Sequence, residues 1–190
     1  INVISRYDNN TTTMITIISD KINNLNQTSY DLLINSININ QLKCSCGHYG
    51  TLARHARYSR TIKLSGGIQA VLNIVRVKCS HCGKTHALMP SQIVPYSQIL
   101  LNEHISICTN YIHNISQEKI MTDNPLIDES NISYIIHNFN EHWVQRLAAF
   151  SISLGLNSTE LVKKCFSLCS RQFMQIKCTV NILCLCTHIT

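Results

Sequence analysis

The chain has 190 residues, room for one domain or two small ones, and its 45% hydrophobic against 14% charged residues can build a core, which excludes a fully disordered chain. With 6 glycines and 3 prolines it is neither collagen-like nor proline-rich, and its apolar runs are far too short for a membrane-spanning helix. The net charge of +6 is unevenly placed: no acidic residue lies between Asp31 and Glu103, where Lys43, Arg54, Arg57, Arg60, Lys63, Arg76, Lys78 and Lys84 all fall.

In chain order, residues 1–42 are rich in Asn, Ile, Thr and Ser. Ile15, Ile18, Ile22 and Leu25 have helical spacing, as do Tyr30, Leu33, Ile34 and Ile37, while the asparagines weaken both helices. The expectation is a weakly helical or partly ordered N-terminal arm. Residues 43–95 change character. Gly66-Gly67 signals a hairpin turn between β-rich runs at 58–64 and 68–78, and Pro90 and Pro95 close the segment. Residues 96–190 read as helical. Ser97 caps a helix carrying Ile99, Leu100, Ile105, Ile107, Cys108 and Ile112; residues 116–129 form a loop. Ser130 or Asn131 caps a second helix running to Phe150, and Asn157 with Glu160 resembles a capping box opening a third, to about Phe173. The fold class expected is α+β: a small zinc-ribbon β-hairpin module over 43–95, then a helical domain over 96–190 with a helix-turn-helix-like layout as one option.

Ten cysteines is a high count. No basic segment followed by an apolar stretch reads as a secretory leader, so a cytoplasmic location with reduced thiols is expected and metal binding outranks disulfides. Cys79-x-x-Cys82-Gly83 is knuckle-like, and Cys44-x-Cys46-Gly47 lies upstream. Two cysteine pairs bracketing a hairpin describe a zinc ribbon, in which Zn²⁺ stands in for a core too small to be stable alone. The favoured ligand set is Cys44, Cys46, Cys79 and Cys82. One of His48, His55 or His81 replacing a cysteine, and four buried free thiols without metal, are the alternatives. His86 reads as a packed structural histidine before a functional one. Cys165 and Cys169 share a helix face; with Cys178, Cys184, Cys186 and His188 they are weaker candidates for a second site.

Over residues 44–101 the chain resembles a bacterial family described as a transposase-type zinc ribbon of unknown function, from mobile-element-associated proteins of Gram-positive bacteria. The resemblance rests on Cys44-x-Cys46-Gly47, His55 with Arg57-Tyr58-x-Arg60, the run from Arg76 through Cys79-x-x-Cys82-Gly83-Lys84-Thr85-His86 to Leu88, and Val94-Pro95-Tyr96. It extends loosely to Phe139-x-x-x-Trp143-x-x-x-Leu147 and to 171–177. It implies a zinc ribbon followed by a helix-turn-helix-like segment and a DNA-related role.

The acid-free basic stretch independently suggests a polyanionic partner. Arg54, Arg57, Arg60, Lys63, Arg76, Lys78 and Lys84 are the nucleic-acid-binding candidates, with Tyr49 and Tyr58 interleaved; Asn131, Ser133, Tyr134 and His137 are outward candidates on the second helix. Glu103, Glu118, Asp123, Asp128, Glu129, Glu141 and Glu160 show no strand-borne pattern that gathers a catalytic metal cluster. No phosphate loop or nucleophile elbow is present. The expectation is a non-catalytic zinc-binding protein whose partner is duplex DNA, with no membrane and no small-molecule substrate. A protein-interaction module, engaging a second copy or a transposase, and a fragment of a larger transposase are the alternatives.

Overall fold

β-Branched and apolar residues on both sides of the cysteine pairs form one five-stranded sheet, seen in a computed structural model that describes residues 2–6, 13–19, 24–64, 68–123, 125 and 127–175. The strands are β1 (Asn2–Arg6), β2 (Thr13–Ile18), β3 (Leu52–Leu64), β4 (Ile68–Cys79) and β5 (Thr85–Pro90), in the order β1-β2-β5-β4-β3. Only β2 and β5 pair in parallel. The fold is α+β, with helices α1 (Gln27–Asn35), α2 (Leu101–Ile112), α3 (Gln117–Asp123), α4 (Glu129–His142), α5 (Val144–Ala149) and α6 (Ser158–Cys169). Among the described residues no helix is long and apolar enough to cross a membrane.

The segment over 1–42 differs from a weakly helical arm. The helical spacing at Ile15 and Ile18 belongs to a strand, because Thr-Met-Ile-Thr-Ile-Ile is mostly β-branched and β5 lies alongside to complete its hydrogen bonds. Ile22 lies outside the described residues. The second expected helix is present as α1. Asn26 caps it reciprocally: its Oδ1 accepts from Ser29 N–H at 2.9 Å, and Ser29 Oγ accepts from Asn26 N–H at 3.0 Å. Its apolar face, Tyr30, Leu33 and Ile34, is buried against the sheet.

The hairpin forms in the expected place, with β3 and β4 in register from Leu52 opposite Cys79 to Leu64 opposite Ile68. Both strands run on to the cysteine pairs. The turn at Gly66-Gly67 lies outside the described residues. A one-residue bulge leaves His55 without a cross-strand partner.

In the helical part, α2 starts at Leu101, four residues beyond Ser97. Ser97 instead accepts from Ile99 N–H and hydrogen-bonds His104. The stretch expected as a loop over 116–129 contains α3, held on its exposed side by a Lys119–Asp123 ion pair. Asp128, not Ser130 or Asn131, caps α4, its Oδ1 accepting from Asn131 N–H at 2.8 Å. The expected single helix to Phe150 is two, α4 and α5, broken at Trp143, whose indole is fully buried edge-on against Phe173. Asn157 caps α6 as expected, and a left-handed Ser170 ends it.

Among the described residues two apolar clusters result. One joins the sheet, α1 and the cysteine pairs; the other joins the helices. Alternation along β2 places Ile15 and Ile17 in the first and Ile18 in the second, so this strand is the wall between them.

Candidate metal centre

The two cysteine pairs sit on turns of different tightness. In the first, Gly47 N–H donates to Cys44 C=O, a three-residue step; in the second, Gly83 N–H donates to Cys79 C=O, a four-residue step. That one-residue difference is the difference between Cys-x-Cys and Cys-x-x-Cys. Gly47 (φ +91°) and Gly83 (φ +71°) both occupy the left-handed region that a side chain resists, and it is this conformation that turns the chain back beneath the sulfurs. Cys79 ends β4, and Cys44 follows a bridge between Lys43 and Tyr49, so the sheet fixes the separation of the turns.

The four sulfurs of Cys44, Cys46, Cys79 and Cys82 lie within 4.8 Å of one another, and this group can hold a metal ion. Cys44 Sγ is 3.5 Å from Cys82 Sγ, and Cys46 Sγ is 3.8 Å from Cys79 Sγ. Cys44 and Cys79 are buried; Cys46 and Cys82 face partly outward. Burial pushes the Cys44 thiol up to about 12. Cys79 is buried too, but its hydrogen bond with Thr51 and those from the amides of Cys82 and His81 outweigh that and hold it down to about 6. The amide and ring of His48 hold Cys46 below the usual thiol range. At Cys46 and Cys79 the turns thus aim backbone donors at sulfur, which favours the thiolate there.

The histidines divide clearly. His86, on β5 and fully buried, brings Nε2 to 3.2 Å from Cys44 Sγ; burial, with Lys84 nearby, lowers its pKa and keeps it neutral. It supports a ligand in the way outer-shell groups orient metal sites. His48 and His81, one from each turn, are exposed and stack with ring centroids 3.9 Å apart; His48 Nδ1 is 3.4 Å from Cys46 Sγ. His55 is exposed at the bulge. The four cysteines are the only group of three or more His, Cys, Asp or Glu of this geometry among the described residues. Cys165 and Cys169 are buried in the helical cluster with Cys108, and burial pushes the thiols of Cys108 and Cys165 up to about 12. Cys178, Cys184, Cys186 and His188 lie outside the described residues. Thr51 had no sequence signal, since its role depends on β3 starting beside Cys79.

The basic candidates do not share one face. Cross-strand partners point to the same side of a sheet. Arg54 opposite Val77, Arg57 opposite Val75, and Lys63 opposite Gln69 lie on the side where α1 packs. Arg60 opposite Leu72, Arg76 opposite Ala56, and Lys78 opposite Ala53 lie on the other. Arg57 pairs with Asp31 at 2.9 Å, and Arg54 donates to Asn35 Oδ1. Arg60 is half-buried and its Nη2 donates to the carbonyls of Val94 and Ser97 at 3.0 and 2.7 Å, which makes it a clamp on that loop. Arg76 donates to Thr85 Oγ1. Lys63 is half-buried; Arg54, Lys78 and Lys84 are exposed and form no ion pair among the described residues. On α4, Ser133, Tyr134 and His137 are exposed and Asn131 is half-buried.

Residues 44–132 match a family model described as a domain of unknown function (DUF6431). That segment starts at the first metal-site cysteine and ends within α4. No curated protein and no solved structure matches the chain.

Proposed function

We propose that the chain is a zinc-stabilised, non-catalytic, cytoplasmic protein that binds duplex DNA, related to the DNA-binding part of a transposase or to a mobile-element accessory protein. The donor set favours zinc: four thiolates are soft ligands, and tetrahedral Zn²⁺ with Zn–S near 2.3 Å separates its sulfurs by about 3.8 Å. The observed 3.5 and 3.8 Å are close to that spacing. The observation that carries DNA binding is that Arg54 on one face of the hairpin end and Lys78 on the other, with Lys84, are exposed cations beside the cysteine turns, in a stretch without acids. Three phosphate contacts give a log–log salt dependence of affinity with a slope near about −3.

The test is a salt titration of duplex binding on protein with its metal content measured. The expected result is about one zinc per chain and a slope that Arg54→Ala, Lys78→Ala and Lys84→Ala flatten by about 0.9 each. Binding indifferent to salt and to the triple change overturns the reading. It would favour instead a protein-docking module, the second reading, for which Tyr111, Ile112, Ile115 and Val144 speak: all four are exposed and line two clefts of about 500 and 700 Å³ in the helical part.

A further inference from the structure

On the face of the sheet opposite α1, a cleft of about 290 Å³ opens among Met14, Tyr58, Arg60, Arg76, Ala87 and Tyr96. Register explains its floor: Met14 pairs with Ala87 and Ala87 with Arg76, so the small Ala87 leaves a gap between longer neighbours. Among the described residues two guanidinium groups line it and no carboxylate does. Arg76 is half-buried and uses one N–H on Thr85, leaving most of its five donors without a partner among the described residues. Arg60 Nε is buried and unpartnered. A cation withdrawn from water without a counter-charge is costly, so this arrangement calls for an anion. Tyr96 is an exposed aromatic in the left-handed region at φ +65°, a conformation that disfavours any non-glycine residue. Arg60 holds it there by bonding the carbonyls of Val94 and Ser97 on either side. Strain kept at a cleft edge and two aromatics in its lining, Tyr96 and Tyr58, suit a flat ring carrying a negative charge.

We infer that this cleft takes one unpaired nucleotide, its base against Tyr96 and Tyr58 and its phosphate on Arg76. The volume is at the small end of ligand sites, enough for a nucleotide and not for a longer segment. Lys78 lies two residues from Arg76 on the same face and pairs with Thr85, the neighbour of Lys84. Lys78 and Lys84, two of the cations proposed above to meet duplex phosphate, therefore lead to the cleft, and the inference rests on that reading. The partner is a duplex with a single-stranded end or a displaced base.

The test compares anisotropy titrations of a labelled blunt duplex and the same duplex with a short overhang, with a nucleoside monophosphate as competitor. The overhang is expected to bind about tenfold tighter, the gain of one stacked base. Tyr96→Ala should erase that preference while blunt-duplex affinity stays within about twofold, and Arg76→Gln should erase it as well; circular dichroism and zinc content report the folding of each variant. Equal affinity for both duplexes, or a preference that survives in folded Tyr96→Ala, overturns the cleft assignment alone. Loss of blunt-duplex binding in the wild type overturns the function proposed above. Displacement of the overhang by micromolar free nucleotide overturns the nucleic-acid source in favour of a small-molecule site.

Discussion

His104 carries an imidazole into the helical core, 2% exposed, with Nε2 3.1 Å from Ser97 Oγ and a buried Nδ1 that has no hydrogen-bond partner. Burial pushes its pKa down to about 4, so the folded chain holds it neutral. The unfolded chain takes up a proton near pH 6.5, so between about 6.5 and 4 it binds more protons than the folded one. Stability is therefore retained above pH 6.5 and falls as the pH drops, by about 3 kcal/mol at pH 4. Urea melts from pH 7 to 4 on wild type and His104→Leu check this. The wild type should lose that much more stability than the variant across the range, and parallel pH profiles would refute it. The comparison also removes any contribution of thiols to acid sensitivity, since both proteins carry them. The four cysteines were visible in the sequence because a metal imposes spacing on its ligands. The structural roles of Arg60 and Thr51 were not, because each depends on which loop or strand end folds beside it.

At the scale of elements, β4 and β5 hydrogen-bond only from Arg76 to Lys78 and then part. Tyr30 of α1 enters there. Its Oη accepts from Val75 N–H at 2.7 Å and donates to Leu88 C=O at 3.0 Å, replacing ladder bonds that the strands no longer exchange. Tyr30→Phe keeps the ring packing and strands both backbone groups, so it should cost about 2–4 kcal/mol. Urea denaturation with an unchanged m-value would measure it, and a loss under about 0.5 kcal/mol would mean that the groups find other partners. The hairpin and α1 were legible because glycine punctuation and a spacing of 30, 33, 34 agree with what packs there. The strand β2 was not: in an isoleucine-rich segment a helical period and a short buried strand look alike, and the parallel partner that decides between them lies about 70 residues away. The polar sequence of α3 concealed it, since only Ile120 of that helix is buried.

For the whole molecule, the wall formed by β2 raises the question of whether the two clusters unfold together. The sheet cluster includes Cys44 and Cys79, so a metal held by the four cysteines would belong to its core. Structural zinc contributes about 10–16 kcal/mol in small zinc-binding peptides, comparable to or above the roughly 5–15 kcal/mol that separates a domain from its unfolded state. Removing the metal should therefore unfold the sheet cluster. Among the described residues the helical cluster draws only Ile18 from the sheet and is otherwise built from residues 94–174, including Trp143, Phe139 and Phe173, so it has an apolar interior of its own. A chelator should abolish amide protection in β3, β4 and β5 while α4 and α6 stay protected, and a melt of the stripped protein should retain one helical transition. Hydrogen exchange followed by mass spectrometry reads this directly. Loss of protection in α4 and α6 at the same chelator concentration would mean that β2 couples the two cores into a single cooperative unit.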